Sequence, residues 1–515
     1  MSRQIRNLGL FLAVCYGALF LQVNRLTIFQ ADELKNEPRN TREIVRDFSS
    51  PRGSIITADG TVVARSVPAD DRFKLQREYP TGDLFAHVTG YFAFELGSAG
   101  VERSYNDDLA GRTMDLDLQS IDDLFVDQER VGDLTLTLRN DVQEVARDRL
   151  GTQEGSVVAV DPRNGEVLAL WSFPSYDPNQ LATHDFDAAE LVSTALTQHP
   201  DKPTLARTYQ ENFFPGSTFK IVTATAGVER GGVTEDAPDY PTRNAYQPVS
   251  SSGRPTGRPI SNFGGSTCGG TLFPIMQASC NSAFAQMGAE NAGPDAMIDV
   301  AQAFGFNQDV PIDLPRPVQS TFQTEVDGTP LSQNPAVLAQ MSIGQNEVRA
   351  TPLQMALVAA AVANDGEVMA PHVVREVRDD QEEVVDTIEP ETWTQAMGSD
   401  TASLLRDGMI SVVTDGTADR LDDGLENYVV GGKTGTAQLG GAEPRSHAWI
   451  IGFAGPAGET PHVAVAVIVE GQPGASEQTG GRVAAPIAAE VMRQALEQPA
   501  SPAGEEAGES TSDRE

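Results

Sequence analysis

Three short polar groups, widely separated along the chain, carry the side chains most able to perform chemistry. Ser217 and Lys220 lie three residues apart at the start of an apolar stretch that is typical of a helix. The triplet Ser279–Asn281 follows, and then the run Lys433–Thr436 after two glycines. In this order, the groups supply the nucleophile, the base and the hydrogen-bond donors that a serine acyl transfer requires.

The first group brings a hydroxyl within reach of an amine. A spacing of three residues puts two side chains on one face of a helix, so the Lys220 amine can reach the Ser217 hydroxyl. A serine at a helix start also lies beside free backbone N–H groups and the positive end of the helix dipole. Burial against Phe219 and Ile221, with a second cation nearby, would lower the pKa of the lysine and make it a base. Taken alone, the pair is more typical of a helix cap and a surface cation.

The second group supplies a hydroxyl and an amide. Ser279 and Asn281 bracket Cys280, so in a short loop both side chains can point into one cleft. There the serine can relay a proton and the asparagine can hold a substrate amide. Serine and asparagine are common in loops, so this triplet has meaning only beside the other two groups.

The pattern of the third group predicts a strand that lines a cleft. It precedes an apolar strand, and its glycines, Gly435 among them, let a substrate backbone approach closely. We expect the Lys433 cation and the hydroxyls of Thr434 and Thr436 to bind a terminal carboxylate. The three groups together predict an acyl-transfer site.

Strand patterns near both ends of the globular part enclose a long helical section. Residues 156–161 and 166–171 are apolar runs joined by turn residues, and 447–453 and 463–469 are two further apolar strands. A last helix is predicted over about 482–497. Strands from both ends flanking a helical middle predict an α+β fold, with one antiparallel sheet packed between helices.

Two local signals fix individual elements. Asp59-Gly60 between β-branched runs predicts a hairpin. Pro352, directly after Thr351, predicts the first turn of a helix.

The chain divides into five parts by composition. We predict a cytoplasmic end at 1–7, a transmembrane signal anchor at 8–29, an N-terminal pedestal of dimerisation type at 30–150, a catalytic domain at 151–497 and a disordered acidic tail at 498–515.

The anchor prediction rests on charge and hydropathy. Arg3 and Arg6 precede the apolar segment 8–29, and no small-residue cleavage site follows it. The arginines favour a cytoplasmic N-terminus, which sends the remainder of the chain outside. We therefore expect a single-pass protein of the cell membrane with an extracytoplasmic catalytic domain.

The overall charge limits the class of partner. The formal net charge is −36, from 73 acidic against 37 basic residues. So strong a negative field argues against nucleic acid or anionic lipid as a broad-surface partner. A heavily solvated surface is the simpler explanation.

The extracytoplasmic cysteines are Cys268 and Cys280, in an oxidising setting where a pair can form a disulfide. A straight helix over 271–279 would separate them by about 1.5 Å per residue, unless the Gly269-Gly270 turn folds back. The sequence leaves this disulfide open.

At these residues the chain resembles the class B penicillin-binding proteins, the monofunctional peptidoglycan D,D-transpeptidases, and in particular their small actinobacterial type. The resemblance includes the anchor and the three polar groups. It also includes four further segments: Arg52–Ile55, Gly155–Trp171, Ser342–Gln345 and Thr351–Gln354. It implies the penicillin-binding serine transpeptidase fold with an N-terminal pedestal.

The resemblance also implies a role for each site residue. The implied set is Ser217 as acylated nucleophile, Lys220 as its base, Ser279 and Asn281 as the second motif, Lys433, Thr434 and Thr436 as carboxylate ligands with Gly435 between them, and the backbone amides of Ser217 and Thr436 as the oxyanion hole.

The implied reaction joins two stem peptides of the cell wall. The serine attacks a D-Ala-D-Ala bond, D-alanine leaves, and an amine of a neighbouring stem captures the acyl-enzyme. The implied partners are peptidoglycan stem peptides and their lipid-linked precursor, β-lactam antibiotics that acylate the same serine, and a membrane glycosyltransferase of the shape, elongation and division family. No cofactor and no metal are implied.

Three rival functions share some of these features. A β-lactamase would need a water-activating Glu-x-x-Leu-Asn element between the second and third groups, and the sequence has none. A D,D-carboxypeptidase differs only in its acceptor, which is water, and stays open. A catalytically idle scaffold or sensor is disfavoured by the intact Ser217, Lys220 and Lys433.

Overall fold

The computed structural model describes residues 2–24, 48–113, 131–439, 445–472 and 479–497. Its α-helices are α1 Ser2–Asn24, α2 Ala86–Thr89, α3 Gly100–Ser104, α4 Asn106–Leu109, α5 Asn140–Leu150, α6 Asn179–Ala182, α7 Phe186–Gln198, α8 Arg207–Gln210, α9 Lys220–Gly231, α10 Leu272–Gln277, α11 Asn281–Gln286, α12 Gly293–Ala303, α13 Pro335–Met341, α14 Pro352–Ala363, α15 Ser399–Thr414 and α16 Ala485–Leu496. Short 3₁₀ turns span Gly82–Phe85, Gly216–Phe219, Phe263–Gly265 and Leu331–Gln333, and π turns span Met287–Ala292 and Gly480–Ala484.

The strands are β1 Ile55–Ile56, β2 Val62–Pro68, β3 Leu75–Glu78, β4 Phe92–Ala93, β5 Gly97–Ser98, β6 Asp133–Leu136, β7 Gly155–Val160, β8 Val167–Phe173, β9 Tyr240–Arg243, β10 Ala245–Tyr246, β11 Ile260–Ser261, β12 Cys268–Gly270, β13 Thr321–Phe322, β14 Glu325–Val326, β15 Thr329–Pro330, β16 Val348–Arg349, β17 Glu367–Met369, β18 Val374–Arg378, β19 Val384–Thr387, β20 Thr392–Gln395, β21 Val429–Gln438, β22 Ser446–Gly455 and β23 Val463–Val469.

The catalytic domain is built on a five-stranded antiparallel sheet in the order β21-β22-β23-β7-β8. Strands from the two ends of this domain meet where Val467 pairs with Val157. Every residue of β23 is buried, so both faces of the sheet are covered. The prediction of one antiparallel sheet formed from both ends is confirmed.

Helices cover the sheet. α5 and α16 pack on each other and on the sheet, and α14 packs against β7, β22 and β23. All residues of α14 are buried, which fits its nearly uninterrupted apolar sequence. Its start follows the predicted pattern, because the Thr351 hydroxyl accepts a hydrogen bond from the Gln354 N–H and Pro352 occupies the first turn.

The N-terminal pedestal is a second sheet, in the order β19-β18-β6-β1-β2-β3. The predicted Asp59-Gly60 hairpin is present and joins β1 to β2. The hairpin β18–β19 comes from 374–387, far along the chain, and pairs with β6. The pedestal is therefore completed by a segment that the division at residue 150 assigns to the catalytic domain.

A buried ion triad stabilises the pedestal. The Glu102 carboxylate lies 2.6 Å from the Arg52 Nε and 2.6 Å from the Arg77 Nε, and the Tyr79 hydroxyl donates to it at 3.2 Å. All three charged side chains are buried. Each oxygen of the carboxylate has a cationic partner. Arg52 precedes β1, Arg77 lies on β3 and Glu102 lies on α3, so the triad links these three parts of the pedestal.

The N-terminal helix α1 covers most of the predicted anchor, of which 25–29 lie outside the described residues. Among the residues that the structure describes, no helix is long and apolar enough to cross a membrane. The first part of the predicted pedestal, 30–47, and the predicted tail at 498–515 also lie outside the described residues.

The triad leads to a stability prediction. Glu102→Gln should lower the free energy of unfolding by about 3 kcal/mol, because two buried arginines then lack a counter-charge. Thermal and urea unfolding of the purified protein would measure this loss. Glu78→Gln is the matched control: its partner Arg65 is half exposed, so a change below about 1 kcal/mol is expected. Equal effects of the two substitutions would contradict the role given to the triad.

Candidate active site

Ser217 lies on a single 3₁₀ turn, Gly216–Phe219, that continues into α9. The tight turn places the serine at the very start of the helix, and the Lys220 N–H donates to the Ser217 carbonyl. Ser217 is partly exposed on the wall of a cleft, whereas Lys220, three residues on, is completely buried. The nucleophile candidate therefore faces solvent and the base candidate faces the core.

The serine turn is held by very close backbone contacts. The Gly216 N–H donates to the Gly344 carbonyl at 2.9 Å. Gly344 has a φ of +70°, and a β-carbon there would lie 2.1 Å from the Gly216 oxygen, so only glycine fits. On the other side, Gly435 of β21 packs against the same turn at Pro215 and Thr218.

Ser279 occupies a position where helices usually end in glycine. The Cys280 N–H donates to Ile275 and the Ser279 N–H to Met276, the bond pattern of a Schellman cap after α10. Ser279 has a φ of +50°, in the left-handed region, which costs a non-glycine residue about 1 kcal/mol. A serine at this position indicates that its hydroxyl is needed.

Three oxygens surround the Lys220 amine. Its Nζ lies 2.7 Å from the Ser279 carbonyl oxygen, 3.2 Å from the Ser279 hydroxyl and 2.7 Å from the Asn281 Oδ1. The other end of the Asn281 amide donates to the Ser261 carbonyl at 2.9 Å. Within the described residues, the hydrogen-bond partners of the Lys220 amine thus lie on the second motif, and the Ser217 hydroxyl is not among them.

Lys433 is a second hydrogen-bond donor to the same hydroxyl. Its Nζ donates to the Ser279 Oγ at 2.7 Å and to the Thr434 carbonyl at 3.0 Å, and its side chain is completely buried. Burial lowers the pKa of Lys433 to about 7. Burial, and then the positive charge of Lys433, lower the pKa of Lys220 well below its ordinary value. The Ser279 hydroxyl therefore connects two amines that both give up their protons easily.

A disulfide fixes the turn that carries Ser279. Cys268 of β12 is bonded to Cys280, with a Cα–Cα distance of 5.9 Å. Strand β12 pairs with β9, and helix α10 ends before the second cysteine, so the chain folds back as the bridge requires. The sequence alone does not decide whether this disulfide forms, and the structure contains it.

The third motif lies on β21, at the edge of the sheet. Thr434 and Thr436 line the same cleft as Ser217, Ser279 and Asn281, and the cleft has a volume of about 1070 Å³. The Thr434 hydroxyl forms a 2.6 Å hydrogen bond with the Thr417 hydroxyl. The sequence predicts that the Lys433 cation binds a substrate carboxylate. In the structure, its amine is instead buried and donates to the Ser279 hydroxyl.

The predicted residues converge, and the structure adds others. One cleft wall brings together all the residues predicted from the sequence, either on its surface or directly behind it: Ser217, Lys220, Ser279, Asn281, Lys433, Thr434, Gly435 and Thr436. Residues of the cleft that sequence reasoning missed include Thr417, Arg420, Arg482 and the half-exposed Phe263. They belong to loops and turns without a motif, and no signal in a single sequence distinguishes them.

This sheet, with a serine, two buried lysines and a bridging hydroxyl, defines a serine acyltransferase of the penicillin-recognising class. The chain belongs to the penicillin-binding proteins: residues 155–493 match the model of the penicillin binding protein transpeptidase domain. Residues 52–134 match that of the penicillin binding protein A dimerisation domain.

Full-length relatives agree with this membership. The chain is 35% identical over 509 residues to the peptidoglycan D,D-transpeptidase PbpA of Mycolicibacterium smegmatis, covering 96% of this chain and 99% of the relative. It is 34% identical over 511 residues to PbpA of Mycobacterium tuberculosis, with the same coverage. The ceftriaxone acyl-enzyme of penicillin-binding protein A from M. tuberculosis superimposes with a TM-score of 0.78 at 31% identity, covering 88% of this chain and 100% of that one.

The lowered pKa of Lys433 predicts how stability depends on pH. The unfolded chain keeps this proton up to a pKa near 10.5, whereas the folded protein loses it near pH 7. Below pH 7 the folded protein therefore carries a buried positive charge, which destabilises it relative to the unfolded chain. Because the unfolded chain loses its proton only near pH 10.5, this destabilisation shrinks as the pH rises above 7 and disappears near 10.5. Lys433→Met should raise the free energy of unfolding by about 1–2 kcal/mol at pH 6, and by less at pH 9.

Urea unfolding at the two pH values would measure that difference. The gain is limited because methionine leaves the Ser279 hydroxyl and the Thr434 carbonyl without this donor. Lys202→Met replaces an exposed lysine and serves as the control, with the same effect expected at both pH values. A larger gain at pH 9 than at pH 6 would show that the sign is wrong.

Proposed function

We propose that this chain is a peptidoglycan D,D-transpeptidase in which Ser217 is the nucleophile and Lys220 its base. The observation that carries the assignment of roles is the meeting of two buried amines at the Ser279 hydroxyl, beside the serine turn. A buried neutral amine is a base, and a buried pair of amines with a hydroxyl between them is a path for a proton. β-Lactams would acylate the same serine.

The first half of the reaction forms the acyl-enzyme. Neutral Lys220 takes the proton of Ser217 as the Ser217 Oγ attacks the carbonyl carbon of the D-Ala-D-Ala bond. The oxyanion that develops is stabilised by the backbone N–H groups of Ser217 and Thr436. The peptide C–N bond then breaks, and the proton reaches the departing D-alanine amine through the Ser279 hydroxyl.

The second half reverses these proton transfers. The amine of a neighbouring stem peptide attacks the ester carbon and gives its proton to the lysine and hydroxyl network. The bond from carbon to the Ser217 Oγ breaks, and the oxygen regains its proton. Asn281 holds Lys220 in place throughout, because its amide is bonded to the amine at one end and to the Ser261 backbone at the other.

Labelling with a fluorescent penicillin tests these roles. Ser217→Ala should abolish labelling, and Lys220→Gln should slow acylation about 10²- to 10⁴-fold because the base is lost. Ser252→Ala, on an exposed loop, is the control and should label like the wild type. If the wild type labels no better than Ser217→Ala, the enzymatic assignment is wrong.

We extend the proposal to the location of the enzyme. The apolar side chains along α1 are exposed, as in Phe11, Val14 and Phe20, and Arg3 and Arg6 stand at its N-terminal end. These features support an anchor at 8–29 that holds the catalytic domain outside the cell membrane. A membrane glycosyltransferase that polymerises the glycan strands would then be the partner, reached through the anchor and the pedestal.

Cell fractionation tests the anchor and the partner together. The full chain should stay with membranes after an alkaline carbonate wash, and a chain lacking 2–24 should be released. In mild detergent, the full chain should co-purify with a glycosyltransferase activity, whereas the shortened chain should lose most of it. Release of the full chain by the wash would contradict the anchor, and equal co-purification of both chains would contradict its part in the partnership.

A further inference from the structure

The proposed substrate brings a negative charge into the cleft. Every peptide that ends in D-alanine brings a carboxylate into the cleft, and a carboxylate needs a cation or several donors. Lys433, the residue expected to supply the cation, is completely buried and bonded to Ser279. An exposed cation beside that carboxylate would therefore come from another residue of the cleft.

Among the residues that line the cleft, the basic ones are Arg420 and Arg482. Both side chains are exposed, and within the described part of the chain neither has an ion pair or a hydrogen bond. Asp419, also exposed, is the acidic residue of the same lining. In a chain of net charge −36, two guanidinium groups that have no side-chain partner among the described residues and line one cleft form a local exception.

Two separate segments bring the arginines to the third motif. Arg420 follows Thr417, whose hydroxyl is bonded to that of Thr434 at 2.6 Å. Arg482 follows Gly481, where a β-carbon would lie 2.3 Å from the Thr417 oxygen and 3.5 Å from the Thr434 Cγ2. The segments that carry the two arginines thus both contact Thr434 of β21, and the arginines line the same cleft as Thr434 and Thr436.

We propose that Arg420 and Arg482 bind the carboxylate of the acceptor, and so select an acceptor amine that lies one carbon away from a carboxylate. The inference rests on the proposed function. In the leaving D-alanine, the amine is one carbon from the carboxylate, and the acceptor amine must approach the ester carbon along the path by which that amine left. An acceptor with an amino-acid centre, as in diaminopimelate, places its carboxylate at the same arginines. A lysine side-chain amine has no carboxylate there.

The covalent step is the second half of the reaction. The acceptor nitrogen forms a bond to the ester carbon, the bond from that carbon to the Ser217 Oγ breaks, and one proton moves from nitrogen to that oxygen. The arginines take no part in the proton transfer. They orient the amine through the neighbouring carboxylate, which makes them specificity-determining residues.

A partition experiment on the full chain tests the proposal. The donor is a peptide thioester whose thiol leaving group carries no carboxylate, and the acceptors are D-alanine and D-alaninamide, which differ in that charge. The measured quantity is the ratio of transfer product to hydrolysis product, which does not depend on the rate of acylation. The wild type should prefer D-alanine about tenfold, as expected for a charge-assisted contact that is partly screened by water.

The double variant Arg420→Gln, Arg482→Gln should lose that preference, and added salt should weaken it in the wild type. Arg230→Gln, Arg254→Gln removes two exposed arginines outside the cleft and is the matched control, in which the preference should remain. A wild type that uses both acceptors equally, or a cleft variant that keeps the preference, would overturn the proposal.

A second donor, with a carboxylate on its leaving group, separates the two sources of carboxylate. If the cleft variant is acylated more slowly by this donor alone and still prefers D-alanine as acceptor, the arginines bind the donor and the acceptor assignment is wrong. If the wild type forms no acyl-enzyme with either donor or with a fluorescent penicillin, the proposed function itself fails, and this inference fails with it.

Discussion

Two buried lysines that meet at one hydroxyl form the constraint on which the site depends. Lys220 and Lys433 both donate to the Ser279 Oγ, and among the described residues neither amine forms an ion pair with a carboxylate. Such a partner would stabilise the protonated amine and remove the base. In the described part of the chain, both amines are bonded to neutral oxygens of Ser279, Asn281 and Thr434 and to no carboxylate.

That arrangement is unfavourable for stability, and the remainder of the molecule offsets it. Two desolvated amines and a serine in a left-handed conformation each destabilise the folded state. The opposing contributions lie elsewhere: a sheet buried on both faces, the wholly buried helix α14, and the disulfide at Cys280 that fixes the strained turn. Functional sites are commonly less stable than their surroundings, and here the groups responsible can be named.

The parts of the fold that sequence predicts are those with local causes. Runs of apolar residues predict β7, β8, β22 and β23, and Thr351 with Pro352 predicts the start of α14. The pairing of β18 with β6 has no local cause, because it joins segments more than 200 residues apart through tertiary contacts. The sequence also does not predict to which face of β21 Lys433 points. Alternation along a strand separates its residues into two faces, but it does not show which face is buried.

Arg420 and Arg482 illustrate why the overall charge does not determine the charge that a ligand meets inside the cleft. A net charge of −36 creates a field that disfavours carboxylates at a distance, but salt screens that field beyond about 8–10 Å. Within the cleft the charges in contact range matter more, and these are Arg420 and Arg482 against Asp419. Thr417 lies three residues before Arg420 and Gly481 directly before Arg482, and both contact Thr434, so the segments that carry the arginines and the third motif support each other.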